Sequence, residues 1–189
     1  MASLRLVAGL GNPGPQYSGT RHNVGFMVLD CLAGKNRVTF SRSAAWSSEL
    51  GKWDDILLIK PLTYMNRTGD VIGKFSRYFK VPPEEILVVV DDVALPLGRL
   101  RLRSNGSDGG HNGLKSMIVN LGENFMRLRV GIGGSSDAEA LSDHVLGEFD
   151  RLEKPAMERA IERAAEAIGH VADQGIASAM NSYNRAEQY

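Results

Sequence analysis

Ile86-Leu87-Val88-Val89-Val90 is an unbroken apolar, mostly β-branched run that stops at two adjacent carboxylates, Asp91-Asp92. A strand that is apolar at both parities has no solvent face. Both of its faces must therefore be covered, as in a sheet sandwiched between helices. At 189 residues the chain is long enough to bury one substantial core without cross-links. The lone cysteine, Cys31, lies in an apolar stretch and reads as a small buried hydrophobe. A reducing, cytoplasmic setting is expected.

Other segments fill in around that strand. Further strands are expected over residues 4–10, 44–50, 56–59, 98–103 and 125–132, with Gly51-Lys52-Trp53-Asp54-Asp55 as a hairpin-like loop. Helical spacing begins after Asn23 and is expected to close at Gly34. A second helix carries Val71, Ile72, Phe75, Tyr78 and Phe79 and must end before Val81-Pro82-Pro83. A third carries Leu114, Met117, Ile118 and Leu121, and helices at 137–146, 153–172 and 176–183 complete the chain. Strands alternating with helices, plus hairpins, predict an α/β fold: a single domain over residues 1–189, a twisted mixed β-sheet flanked by α-helices, and a helical C-terminus. No apolar run approaches the roughly 18 residues of a membrane span, and the N-terminus lacks a signal-peptide pattern.

Gly9-Leu10-Gly11-Asn12-Pro13-Gly14 follows the first strand and matches a dinucleotide-binding glycine pattern, with Asp30 downstream as a ribose-binding acid. In that motif the helix begins within the loop. Here no apolar helical face appears before Val24, and Asp30 falls inside the helix. A phosphate-cradling loop at Gly109 to Ser116 fails on the spacing of glycine to lysine. What these loops share is chemistry at strand ends: Asn12 after the first strand, His22 and Asn23 opening the first helix, Asn66 opening the second, Asp91 ending the central strand, and His111-Asn112 opening the third. Ligands usually bind at such positions in an α/β sheet. A histidine for base work, a carboxylate to orient it and amides to donate to an oxyanion would activate water directly. Taken singly, each Asn or Asp is equally at home in a helix cap or turn. The four histidines are scattered, without metal-binding spacing, so no metal is expected and His144 and His170 read as structural.

Four motifs in order carry a resemblance: Gly9 to Gly14 with Tyr17, then Thr20-Arg21-His22-Asn23-Val24-Gly25, Pro61-Leu62-Thr63-Tyr64-Met65-Asn66-Arg67-Thr68-Gly69, and Gly109 to Ser116. Together they resemble the bacterial-type peptidyl-tRNA hydrolase. The resemblance implies a monomeric enzyme, without metal or organic cofactor, that cleaves the ester between a peptide and the 3′ ribose of tRNA. It implies His22 as general base, Asp91 as its orienting partner and Asn12 as a catalytic amide. Asn66 and Asn112 would bind the peptide or the oxyanion, Met65 and His111 would shape the cleft, and Tyr17 would lie near the terminal nucleotides. Arg103 and Arg129 match the clamp for the tRNA 5′ phosphate. Residues 135–150 correspond to a mobile lid and 151–184 to the C-terminal helices. A catalytically silent RNA-binding protein on the same fold is the alternative.

The chain departs from the family where Val90-Asp91-Asp92-Val93-Ala94-Leu95-Pro96 replaces the usual His-Asp-Glu-hydrophobic-Asp-Leu-Pro, and where Asp108 enters a loop that is usually neutral. An acid there is expected to weaken tRNA affinity slightly. The balance of 22 Lys plus Arg against 22 Asp plus Glu conceals a local asymmetry. Arg99, Arg101, Arg103, Arg127 and Arg129 alternate along two strands and predict one cationic stripe able to grip phosphate. The segment from Ser135 to Ala167 is acidic and is expected to face solvent.

Overall fold

The computed structural model describes residues 3–134 and 137–186, with the side chains of 138 and 139 excepted; the first two lid residues, 135 and 136, thus lie outside it. Seven strands form one sheet in the order β2-β3-β4-β1-β5-β7-β6. These are β1 (Leu6–Gly9), β2 (Ser41–Ser43), β3 (Ser48–Trp53), β4 (Ile56–Pro61), β5 (Ile86–Asp92), β6 (Leu100–Arg103) and β7 (Met126–Gly131). β4, β1, β5 and β7 run parallel, whereas β2, β3 and β6 are antiparallel to their neighbours, so the sheet is mixed as expected.

Both faces are covered. α1 (Val24–Lys35), α5 (Lys154–Gln174) and α6 (Ile176–Tyr183) lie over a core containing Val7, Leu87, Val89, Leu100, Leu102 and Leu128. α2 (Thr68–Phe79) and α3 (Asn112–Leu121) lie over the other, built on Ala8, Val88, Val90, Phe75 and Met117. The run from Ile86 to Val90 therefore feeds alternate side chains into two cores, which is why it is apolar at every position. α4 (Ala138–Leu146) stands apart from these layers, beside the turn that carries His22.

Three local expectations are revised. Gly34 does not end the first helix. α1 continues to Lys35, and Asn36 closes it by donating its side-chain amide to Leu32 O at 2.8 Å, with Arg37 turning left-handed at φ 56°. The hairpin loop contracts to Asp54-Asp55, Asp54 adopting φ 52°, so that Gly51, Lys52 and Trp53 join β3 and Trp53 pairs with Ile56. Residues 44–47 are a turn, not strand, and β2 was not foreseen.

The expected arginine stripe also breaks up. β6 and β7 are neighbours, and Arg103 and Arg101 stand opposite Arg127 and Arg129 on one face. Arg127, however, is fully buried. Its guanidinium donates to the carbonyls of Gly106, Ser107 and Glu123 at 2.6 to 2.9 Å and lies over the Phe125 ring, pinning the loop before α3. Burial, and then repulsion from Arg129, lowers its pKa to about 10, which leaves it charged near neutrality. Arg99 is drawn to Asn184 O, while Arg101 and Arg103 remain exposed. The acidic segment is not wholly solvated either, because Glu153 turns inward onto Arg21 at 2.9 Å.

Among the described residues no helix is long and apolar enough to cross a membrane.

Candidate active site

The parallel strands β1 and β5 lie side by side at the centre of the sheet, and the chain leaves β1 through the glycine-rich loop. The glycines serve backbone contact. A Cβ on Gly25 would lie 2.4 Å from Val89 O and 2.6 Å from Leu10 N, and one on Gly9 would lie 2.5 Å from Gly25 O. The start of α1 thus sits directly on the ends of β1 and β5, and the turn ahead of it carries His22 and Asn23 to the tip of β5. Asp30, the would-be ribose acid, lies within α1 and pairs with the buried Lys60 of β4.

At that tip His22 Nδ1 lies 2.9 Å from both oxygens of Asp91, which is only 3% exposed. His111 brings a second imidazole. Its Nε2 is 2.8 Å from Asp91 Oδ1, and the two rings are 5.0 Å apart. Burial opposes ionisation of Asp91, but the adjacent His111 and then His22 outweigh it and hold the carboxyl well below the ordinary carboxylate range. Because folding lowers this pKa, Asp91 contributes stability that is complete above the ordinary range and is lost as pH falls through it and below. Asp91→Asn is expected to flatten the acid side of a stability profile measured by urea midpoints between pH 7 and pH 3.

Asn12 Oδ1 accepts from Met65 N at 2.8 Å, tying the loop after β1 to the turn before α2. Its own backbone is gripped by Asn23, whose Oδ1 accepts from Asn12 N at 2.8 Å and whose Nδ2 donates to Asn12 O at 2.9 Å. Asn23 is 1% exposed. The sequence placed it in the right constellation but gave it no role, since reciprocal bonding to a distant backbone leaves no local signal.

A cavity of about 290 Å³ is lined by His22, Asp91, Asp92, His111, Asn112 and Arg129, and by Leu141, Ser142 and Val145 of α4. Met65 is buried behind Asn12, while Asn66 is exposed beside it. Tyr17 meets the exposed Tyr64 edge to face at 6.4 Å, an aromatic pair that sequence reading did not single out. Of the proposed phosphate ligands, Arg103 is exposed on β6. Arg129 is engaged, donating to Ser107 O at 2.9 Å and facing Asp92 Oδ2 at 3.6 Å. The departures from the family pattern have structural work. Asp92 also accepts from Ala94 N, and Asp108 accepts from Gly110 N at 2.7 Å to shape the loop that leads into His111. His144 and His170 bond to backbone and side-chain oxygens within the fold.

His22, Asp91 and His111 present ligand atoms within 4.8 Å of one another, a convergence that scattered positions in the chain concealed. The donor set nevertheless suits protons better than a cation. His111 Nδ1 accepts from Gly113 N at 3.0 Å and from Leu114 N at 3.3 Å, so the proton of the neutral ring sits on Nε2 and no lone pair there faces Asp91.

Fold and site together define a class: an α/β protein with a buried histidine–aspartate pair at the switch point of its sheet, suited to moving a proton to and from water. The family model for peptidyl-tRNA hydrolase matches residues 6–189. The chain is 45% identical over 188 residues to a peptidyl-tRNA hydrolase of Synechocystis sp., with 97% of each covered. It is 46% identical over 183 residues to that of Thermotoga petrophila, covering 96% of this chain and 98% of the relative. A crystal structure of peptidyl-tRNA hydrolase from Acinetobacter baumannii matches with a TM-score of 0.94 at 37% identity, covering 99% of this chain and 97% of the other. The chain belongs to the peptidyl-tRNA hydrolase family.

Proposed function

We propose that His22 is the general base of this enzyme and Asp91 the carboxylate that orients it. Family membership supplies the reaction, hydrolysis of the ester joining a peptide to the 3′ ribose of tRNA. One observation carries the assignment of roles: His22 Nδ1 is held by a buried carboxylate at the wall of the cavity. With its Nδ1–H donated to Asp91, the imidazole keeps a lone pair at Nε2. That lone pair takes a proton from water as the water oxygen bonds to the ester carbon; the bond to the 3′ oxygen then breaks and the proton passes to the ribose. Asn12 still has its Nδ2 donor after committing Oδ1 to Met65, and with Asn112 it stabilises the developing oxyanion. Asn66 and Met65 hold the peptide side, and Tyr17 with Tyr64 stacks the terminal bases.

Arg103 and Arg129 hold the 5′ phosphate of the tRNA, and Arg129 must exchange its contact with Asp92 for the phosphate. Replacing both with alanine is expected to raise KM about tenfold and to reduce the salt slope of tRNA binding by about two, with kcat little changed. Titrating binding at several salt concentrations checks this. Residues 135–150 act as a lid, supported by the contribution of α4 to the cavity wall, and 151–184 are the C-terminal helices that back the sheet. A single copy carries every proposed site residue, which favours a monomer working where tRNA is, in the cytoplasm. The intact His22–Asp91 pair weighs against the silent RNA-binding alternative. The deciding experiment compares an N-blocked aminoacyl-tRNA with the free aminoacyl-tRNA: selective deacylation of the blocked substrate is expected, and equal rates on both would overturn the reading.

A further inference from the structure

His111 differs from an ordinary cleft residue in that both of its ring nitrogens are committed in opposite senses. Nδ1 accepts from the backbone N–H of Gly113 and Leu114, two of the groups that a helix N-terminus leaves unpaired. Nε2 therefore bears the hydrogen and donates it to Asp91 Oδ1 at 2.8 Å. A proton on Nδ1 would face two N–H donors and would cost both bonds, so the first turn of α3 locks the tautomer. Asp91 is thus shared between two neighbouring imidazoles, His22 from the turn before α1 and His111 from the start of α3.

We propose that His111 is a positioning residue that tunes the base: its locked Nε2–H occupies part of the Asp91 carboxylate, so that Asp91 orients His22 without over-stabilising its protonated form. The role rests on the reading of His22 as base but is read out separately from it. An imidazolium at His22 is held more tightly by a carboxylate that has one fewer donor to satisfy. Removing the His111 donor should therefore make His22 harder to deprotonate and move the acid limb of the rate profile to higher pH. Among the described residues lining the cavity, the other charged groups are Asp92 of β5 and Arg129 of β7, which face each other at 3.6 Å; those of α4 are Leu141, Ser142 and Val145, which are uncharged.

His111→Asn is the informative variant, because asparagine caps a helix N-terminus well and should keep α3 intact while losing the contact with Asp91. In nitrogen-detected NMR of the imidazoles, the neutral form of the His111 ring in the unaltered enzyme should be the Nε2–H tautomer. In His111→Asn the His22 titration midpoint should rise by about 0.5 to 1 pH unit. The acid limb of kcat/KM should rise by the same shift, whatever the height of the plateau above it. An Nδ1–H tautomer at His111, or a His22 midpoint unchanged in a folded His111→Asn protein, would overturn the proposal. Should the midpoint move while the rate profile stays fixed, the tuning stands and the assignment of His22 as base fails.

Discussion

His22→Ala is expected to lower kcat on N-blocked aminoacyl-tRNA about a thousandfold, equivalent to about 4 kcal/mol of barrier, while leaving tRNA affinity within about twofold. The split follows from where the side chain acts. Its Nδ1 is spent on Asp91, and the proposed roles assign Nε2 to water and docking to Arg103, Arg129 and the aromatic pair of Tyr17 and Tyr64. Removing a base that works only in the transition state lowers turnover without loosening the ground-state complex. Asp91→Asn should cost nearly as much, because a neutral amide cannot stabilise the imidazolium that forms at His22, and its NH2 would face the His22 Nδ1–H that Oδ2 now accepts. The double replacement should add little, since the two residues act as one unit. Single-turnover rates with saturating enzyme, alongside filter binding of tRNA, measure both quantities. A His22→Ala enzyme that retained a tenth of the parental rate would end the assignment.

Gly25→Ala is expected to destabilise the fold by about 3 kcal/mol or more, a large effect for one methyl group. The contacts it would make are with backbone: Val89 O at 2.4 Å and both Leu10 N and Leu10 O at 2.6 Å. Backbone at the junction of two central strands cannot give way as a flexible side chain can. α1 would have to lift from the sheet, taking His22 and Asn23 with it, so activity should fall even in the fraction that stays folded. Urea unfolding followed by circular dichroism checks the stability, and deacylation at a temperature where the variant is fully folded checks the site. Gly34→Ala is the control within the same helix: nothing lies within 4 Å of a Cβ there, and replacing glycine inside a helix should be neutral or stabilising by up to about 1 kcal/mol.

Much of this was legible in the chain. The run from Ile86 to Val90 required a strand with two covered faces, and the structure supplies one core on each. The late start of helical spacing after Gly14 argued against a dinucleotide site, and the structure uses those glycines for contact between α1 and the sheet. His22, Asp91, His111 and Asn112, drawn from separate strand ends, do reach one cavity. Other features gave no local sign. Arg127 and Arg129 alternate identically in sequence, yet one is buried under the loop before α3 while the other reaches the cavity. Asn23 and His111 had the right chemistry, but their partners lie 11 and 20 residues away.

What the sequence determined by itself is every element except the edge strand β2, the two-sided burial of β5 and the inventory of proton-handling groups at the strand ends, because periodicity and turn chemistry are local properties of a chain. The tertiary structure alone decided who meets whom. The pairing of β1 with β5, and the seating of α1 and α3 on opposite faces, brought two imidazoles to one carboxylate. Hydrogen-bond direction is set by such a meeting: the amides of Gly113 and Leu114 select the tautomer of His111, and that tautomer decides what Asp91 has left to offer His22.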